Sequence, residues 1–361
     1  MIYRKYAAAG VAVLIGLASL GGCSLAQQAG SSRDEAKTVT IMTHDSFALS
    51  DEAKAEFEKI SGYKLVTTAP GDAGTVLNQL LLAEGKSAAD GFFGIDNFST
   101  SKLLESQALA SADGAESRAW GEDGEAAKLA DSVVFGENKR ALVPVDRGDV
   151  CMNIDNNWFK EKNISAPQNF EDLLKPEYKD LTAVTNPAAS SPGYAMLVGT
   201  ASVYGDKWKD YWTKLFANGV KIENSWSDVY YSDFTAGNED GTGDRPIVLS
   251  YASSPAEAEG ATSSLDATCV RQIEYAGVLA GAKNPEGAKA FISFMLSKAV
   301  QAEIPEQMYM YPEREGVELP EKWAQYAKLT ENPIEVDAQA ADENRETWIK
   351  EWTALFEAHT S

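Results

Sequence analysis

The 361 residues carry 54 acidic against 32 basic side chains, a formal charge of −22. A surface so acidic repels nucleic acid and is compatible with capture of a cation. With two histidines only, and with no G-x-S-x-G, H-E-x-x-H or P-loop signature, hydrolase chemistry has little to work with: a serine–histidine triad would rest on His44, because His359 stands almost at the end.

Arg4 and Lys5 precede an apolar run, Ala7 to Leu20, that ends at Leu20-Gly21-Gly22-Cys23. This layout predicts a secretory signal over residues 1–22, with Cys23 lipidated as the mature N-terminus and residues 23–37 as an anchored linker. The run is short for a bilayer span, and an uncleaved anchor helix is the alternative reading. Losing Arg4 and Lys5 with the signal takes the charge two further, to −24. Roughly 330 residues then remain, more than one ordinary core holds and enough for two domains.

Thr38–Met42 reads as a strand, followed by a helix capped by Ser50 with Asp51 and Glu52 in its first turn, Ala53, Phe57 and Ile60 on one face, and Gly62 as its stop. Tyr63–Thr68 returns as a strand, Val76, Leu77, Leu80 and Leu81 mark a second helix, and Phe92–Ile95 a third strand. Such alternation predicts an α/β fold with a parallel sheet. Residues 111–131, rich in Ala, Glu, Asp and Gly, read as variable surface. Extended segments Ala141–Val145 and Asp149–Ile154 flank Asp146-Arg147-Gly148, and Phe170, Leu173 and Leu174 open a helical region. A strand at Ile247–Tyr251 and an extended stretch from Val270 to Leu279 precede a helix over Pro285–Leu296, and aromatic-rich helices near Trp323 and Trp348 close the chain. The polar loop Gly237–Asp244 lacks EF-hand spacing.

Apart from Cys23 the cysteines are Cys151 and Cys269, an even pair that predicts a disulfide outside the cytoplasm, with two buried thiols as the alternative.

Seven separated motifs carry a resemblance. They are Thr43-His44-Asp45-Ser46-Phe47-Ala48, Gly94-Ile95-Asp96-Asn97, Pro144-Val145-Asp146-Arg147-Gly148, Asn186-Pro187 leading to Ser190-Ser191-Pro192-Gly193, Ser225-Trp226-Ser227, Leu249-Ser250-Tyr251 running to Ser254-Pro255, and Ile304-Pro305 to Met310-Tyr311-Pro312. In this order they resemble the thiamine-binding subgroup of periplasmic solute-binding proteins, from about residue 38 to the end. The resemblance implies an α/β, two-lobed type 2 periplasmic-binding-protein fold with a β-strand hinge and a central ligand cleft. Lobe 1 would comprise 38–148 and 276–361, lobe 2 149–275, and a Cys151–Cys269 disulfide would brace the hinge. It implies a monomeric carrier of thiamine or its phosphate esters, without cofactor or catalysis, that delivers to ABC permease subunits beside the membrane.

Thiamine combines a permanent cation with a flat aminopyrimidine, so aromatic faces and carboxylates suit it. Trp226, Tyr251 and Tyr309 stand where the family supplies aromatic walls, with Tyr230 beside them, and Asp96 at a conspicuous acidic position. Ser190 and Ser191 open a helix whose N–H groups suit a hydroxyl or phosphate. Asp45 and Ser46 follow the first strand, where open α/β sheets place ligands. His44, Arg147 and Glu257 replace residues that are commonly aromatic in the family, and Glu257 could bond an aminopyrimidine. Two other ligand classes stay open: ferric ion, held by Tyr230, Tyr231, His44 and Asp96, and polyamines. A secreted hydrolase is the remote third reading.

Overall fold

The computed structural model describes residues 37–111, 134–135, 141–237 and 242–361. The signal (1–22), the lipidation residue Cys23, the linker short of Lys37, nearly all of 111–131 and the middle of the Gly237–Asp244 loop lie outside the described residues.

The first strand, β1 (Thr38–Met42), buries Val39 and Ile41 on alternate positions, as a strand with one face on a core must. In α1 (Asp51–Ser61) the Ser50 hydroxyl accepts the Ala53 N–H at 3.0 Å, and Gly62 ends the helix at φ 71°. Phe57 alone of its apolar face is buried, edge-on to Phe291; Ile60, expected inward, is 61% exposed. β2 (Lys64–Thr68), α2 (Ala73–Leu82), β3 (Gly91–Asp96) and α3 (Thr100–Glu105) follow, with β1 parallel to both β2 and β3.

After β4 (Val134–Phe135), the segments expected on either side of Asp146-Arg147-Gly148 prove to be one strand of 15 residues, β5 (Ala141–Asp155). Then come α4 (Asn156–Lys162), β6 (Thr182–Thr185), α5 (Ser191–Tyr204), α6 (Trp208–Ala217), β7 (Lys221–Glu223) and β8 (Ile247–Tyr251). The helix expected from Phe170 is two single 3-10 turns, Asp172–Leu174 and Pro176–Tyr178, because Lys175 precedes a proline and is extended at ψ 144°. The remaining elements are α7 (Ser254–Glu257), β9 (Thr262–Ser264), β10 (Val270–Val278), α8 (Pro285–Met295), α9 (Lys298–Met308), β11 (Tyr311–Pro312), α10 (Glu321–Tyr326) and α11 (Ala338–Thr360).

The main path of the sheet runs β2-β1-β3-β10-β5-β8-β6-β7, with β10 antiparallel to both β3 and β5. β5 and β10 each serve two cores. Val143 and Val145 join the core of Val39, Phe57 and Phe291, whereas Val150, Met152 and Ile154 join that of Tyr194, Trp212 and Phe216; Ala276 and Val270 of β10 divide likewise. Two strands passing through both cores make a hinge of the kind the motif order implied.

Cys151 and Cys269 are disulfide-bonded and fully buried, 118 residues apart in sequence, joining β5 to the residue preceding β10. The next inter-strand tie is ionic: Arg271 donates to both oxygens of the buried Asp149, which also accepts the Thr330 N–H at 2.8 Å.

One boundary needs correction. α8 and α9 pack on the first core, but α11 belongs with the second, where Trp352 meets Trp212 at 5.4 Å and Phe216 at 5.5 Å, both edge-on. The last 24 residues therefore leave the body to which 276–361 had been assigned. The cause is the aromatic stripe of α11, which fits the aromatic face of α6.

Candidate ligand-binding site

The halves meet at a set of side chains whose contacts form a circuit. Trp226 lies at the start of the turn leading into a π-helical stretch, Asp228–Asp233, an irregularity frequent at functional sites. Its ring sits 6.1 Å from Tyr251 and 6.1 Å from Tyr309, and stacks at 5.0 Å and 16° on Tyr230. Its Nε1 donates to Ser250 Oγ at 2.9 Å, and its backbone N–H to Asp72 Oδ2 at 3.1 Å. Asp72, the N-cap of α2, comes from the first half of the molecule, so this bond crosses between the halves. Thr75 N–H to Ala189 carbonyl, 3.1 Å, is a second crossing, and Ser253 hydroxyl to Tyr309 carbonyl, 2.6 Å, a third.

From Asp72 the circuit continues through His44, whose Nε2 is 3.6 Å from Glu274, and Glu274 accepts Gln272 Nε2 at 3.0 Å. Gln272 in turn faces the Tyr251 hydroxyl and lies 3.4 Å from Ser191 Oγ. Asp146 stands directly opposite Glu274 across the β5–β10 ladder. Gly94 must be glycine here: at φ +98° its added Cβ would come within 2.2 Å of the His44 ring. Tyr309 adopts the left-handed region at φ 57° without being glycine, a cost of order 1 kcal/mol that persists where surrounding contacts fix the residue.

Electrostatics follow from burial among like charges. Burial, then Glu274 and Glu313, push Asp146 well above the ordinary carboxylate range. Burial also raises Asp72, while His44, Ser190 and the Ala73 N–H restrain it. Burial depresses His44, but Glu274, Asp72 and Asp45 together outweigh it and lift the imidazole above its usual value. The Tyr251 phenol is held far up by burial and then by Glu274 and Asp72.

Because the folded pKa of Asp146 exceeds the unfolded one, its ionisation destabilises the fold as pH climbs from the unfolded value through the folded one. Asp146→Asn should therefore raise the melting temperature at pH 8 and change it little at pH 4, checked by calorimetry; no gain at pH 8 would contradict the buried-acid description.

The expected residues fare differently. Trp226, Tyr230, Tyr251 and Tyr309 come together, Tyr230 as a buried backing to Trp226 and the 43%-exposed Tyr231 beside it. Ser191 reaches the circuit, and Ser190, buried at the start of α5, faces Asp72 without a well-formed hydrogen bond. Asp45 and Ser46 lie at its edge, Asp45 exposed, bonded to one another at 3.4 Å. Glu257 is exposed, 3.5 Å from Lys322, and its charge reaches Tyr230 and Tyr231. Asp96 fastens a turn instead, its Oδ1 accepting the Phe98 N–H at 2.8 Å and the Ser99 hydroxyl at 3.0 Å. Burial raises it to about 6, with Arg345 and those donors restraining it.

Sequence reasoning passed over Asp72, Gln272 and Glu274 and reached Asp146 only as part of a motif. A usable signal existed, since Glu274 and Gln272 interrupt a strand otherwise fit for burial. The four groups of the iron reading have different nearest partners. His44 is with Phe93 and Glu274, Asp96 with Ser99, and the tyrosines with Trp226 and Tyr309. Cavities of about 360 and 580 Å³ open elsewhere, against residues 311–332, and none of the circuit's side chains lines them.

Comparison with known proteins bears on the family and the fold. Residues 125–332 match the family described as bacterial extracellular solute-binding protein. The chain is 32% identical over 332 residues to the thiamine-binding periplasmic protein of Escherichia coli (strain K12), covering 87% of this chain and 92% of that one. To the protein of the same name from Salmonella typhimurium it is 30% identical over 325 residues, covering 87% and 92%. Among solved structures, a periplasmic thiamin binding protein superposes with a TM-score of 0.73 at 27% identity, over 88% of this chain and 96% of that one. A ferric binding protein from Campylobacter jejuni, TM-score 0.65 at 16% identity over 88% and 99%, shares the fold. The two-strand hinge, the two cores and these relatives together establish a type 2 periplasmic-binding fold, and the chain belongs to the bacterial extracellular solute-binding proteins, in the group of the thiamine-binding periplasmic proteins.

Proposed function

We propose that the protein is the extracytoplasmic solute-binding component of an ABC importer, capturing thiamine or its phosphate esters reversibly and without chemistry, and handing them to the permease. The observation that carries this reading is the junction of the Trp226–Tyr251–Tyr309 aromatic group with the buried carboxylates Asp72, Asp146 and Glu274. Flat rings stack on an aminopyrimidine and attract a desolvated thiazolium, and the carboxylates offset its charge. Its relatives' names point the same way.

Ligand contact with both halves would favour their approach, the lobes being 38–148 with 276–337, and 149–275 with α11. Cys23 would tether the secreted protein, a monomer, to the membrane beside its permease, and polyamines are the competing cations.

Titrating protein stripped of co-purified ligand with thiamine should quench tryptophan fluorescence in the micromolar range. Quenching by spermidine but not thiamine would reassign the ligand, and a purple colour with ferric salt would favour iron.

A further inference from the structure

Asp146 and Glu274 occupy one cross-strand position of the hinge, 0% and 4% exposed. Directly opposed residues on one face of an antiparallel pair bring their side chains together. Among the described residues no donor reaches either oxygen of Asp146, and the group within hydrogen-bonding reach of it is the other carboxylate. Two buried carboxylates at this separation do not both ionise. The groups around them add more negative charge: Asp72 from α2, Asp45 after β1, Asp96 on β3 and Glu313 after β11, with Tyr251 from β8 and His44 as the other titratable members. The nearby guanidiniums turn elsewhere, Arg147 to Glu313 at 3.9 Å and Arg345 over the Tyr194 ring at 4.1 Å. Gln272 bonds Glu274 while its own buried Oε1 makes no well-formed hydrogen bond among the described residues.

We propose that in the ligand-free protein Asp146 keeps a proton, donated to the Glu274 carboxylate, and that an arriving cationic ligand replaces it, so capture expels a proton. The inference rests on the reading of this circuit as the ligand site. The balance is simple: the Asp146 O–H bond breaks, the proton leaves to solvent, and two carboxylates then face one positive charge. Site charge is one negative both before and after, so a cation is admitted without changing the net charge buried at the pair. Affinity follows, falling about tenfold per pH unit wherever one whole proton is released and the medium becomes more acidic.

Calorimetric titration with thiamine in two buffers of different ionisation enthalpy counts the protons. About one should be released per thiamine bound near neutral pH. Asp146→Asn keeps a donor facing Glu274 and should abolish the release while weakening binding; His44→Gln should retain it. Infrared difference spectra should show a carboxylic-acid C=O band in ligand-free protein that thiamine removes and Asp146→Asn lacks. Tight thiamine binding with no proton release and no such band overturns the inference, as does a release lost in His44→Gln but kept in Asp146→Asn. If thiamine does not bind, the proposed function fails, and the band in ligand-free protein alone decides whether the proton is there.

Discussion

Trp226→Ala should weaken thiamine capture by about a hundredfold. The ring is 5% exposed and touches Tyr230, Tyr231, Tyr251 and Tyr309, so its loss removes the centre of the aromatic group and not its rim. A central, desolvated aromatic contributes about 2–4 kcal/mol to binding, of which a cation held over the ring accounts for up to about 2. At about 1.4 kcal/mol per decade, 3 kcal/mol is roughly 150-fold. Trp226→Phe separates the parts of this effect, because it keeps a face but loses the Nε1 donor to Ser250. It should retain most of the affinity with a modest stability loss. Calorimetry on both variants decides the matter: an alanine variant within threefold of the parent would mean that the ligand lies elsewhere.

Removing the disulfide should be the most damaging change for stability. Cys151 and Cys269 close a loop of 118 residues, for which the chain-entropy model gives about 4–5 kcal/mol. In a body of this size that corresponds to a fall of roughly 7 °C in melting temperature. The double Cys→Ala variant, melted beside the oxidised parent and the reduced parent, should reproduce the loss seen on reduction. Thiamine affinity should change far less than stability, because neither cysteine touches the aromatic group; they pack with Ala252. A shift under about 2 °C would show that the Asp149–Arg271 tie and the ladder hold the hinge without the bridge.

Much of the fold was legible because its determinants are local. The Ser50 cap, the Gly62 stop and the strand Ile247–Tyr251 depend on neighbours in sequence, and they form where their residues predict. The clustering of the aromatic half of the candidate site was readable through family resemblance, since Trp226, Tyr251 and Tyr309 stand in recognisable motifs. The acidic half was hidden. Asp72, Asp146 and Glu274 come from three distant points in a chain with 54 carboxylates, and only folding reveals which of them lose water together. Asp96 stands in a conspicuous motif, and a carboxylate three residues before Ser99 is also suited to fastening a turn, which it does. α11 was legible as a helix and not as part of the second half, because amphipathic patterning states that a face must be covered but not by what.

α11 rides on one half yet grips the other, Asp342 accepting the Ser101 N–H and Lys102 of α3 pairing with Glu346. Any swing that parts the jaws must break this grip or pivot close to it. A swing about an axis beside α11 would keep both contacts, and a swing about a distant axis would break them.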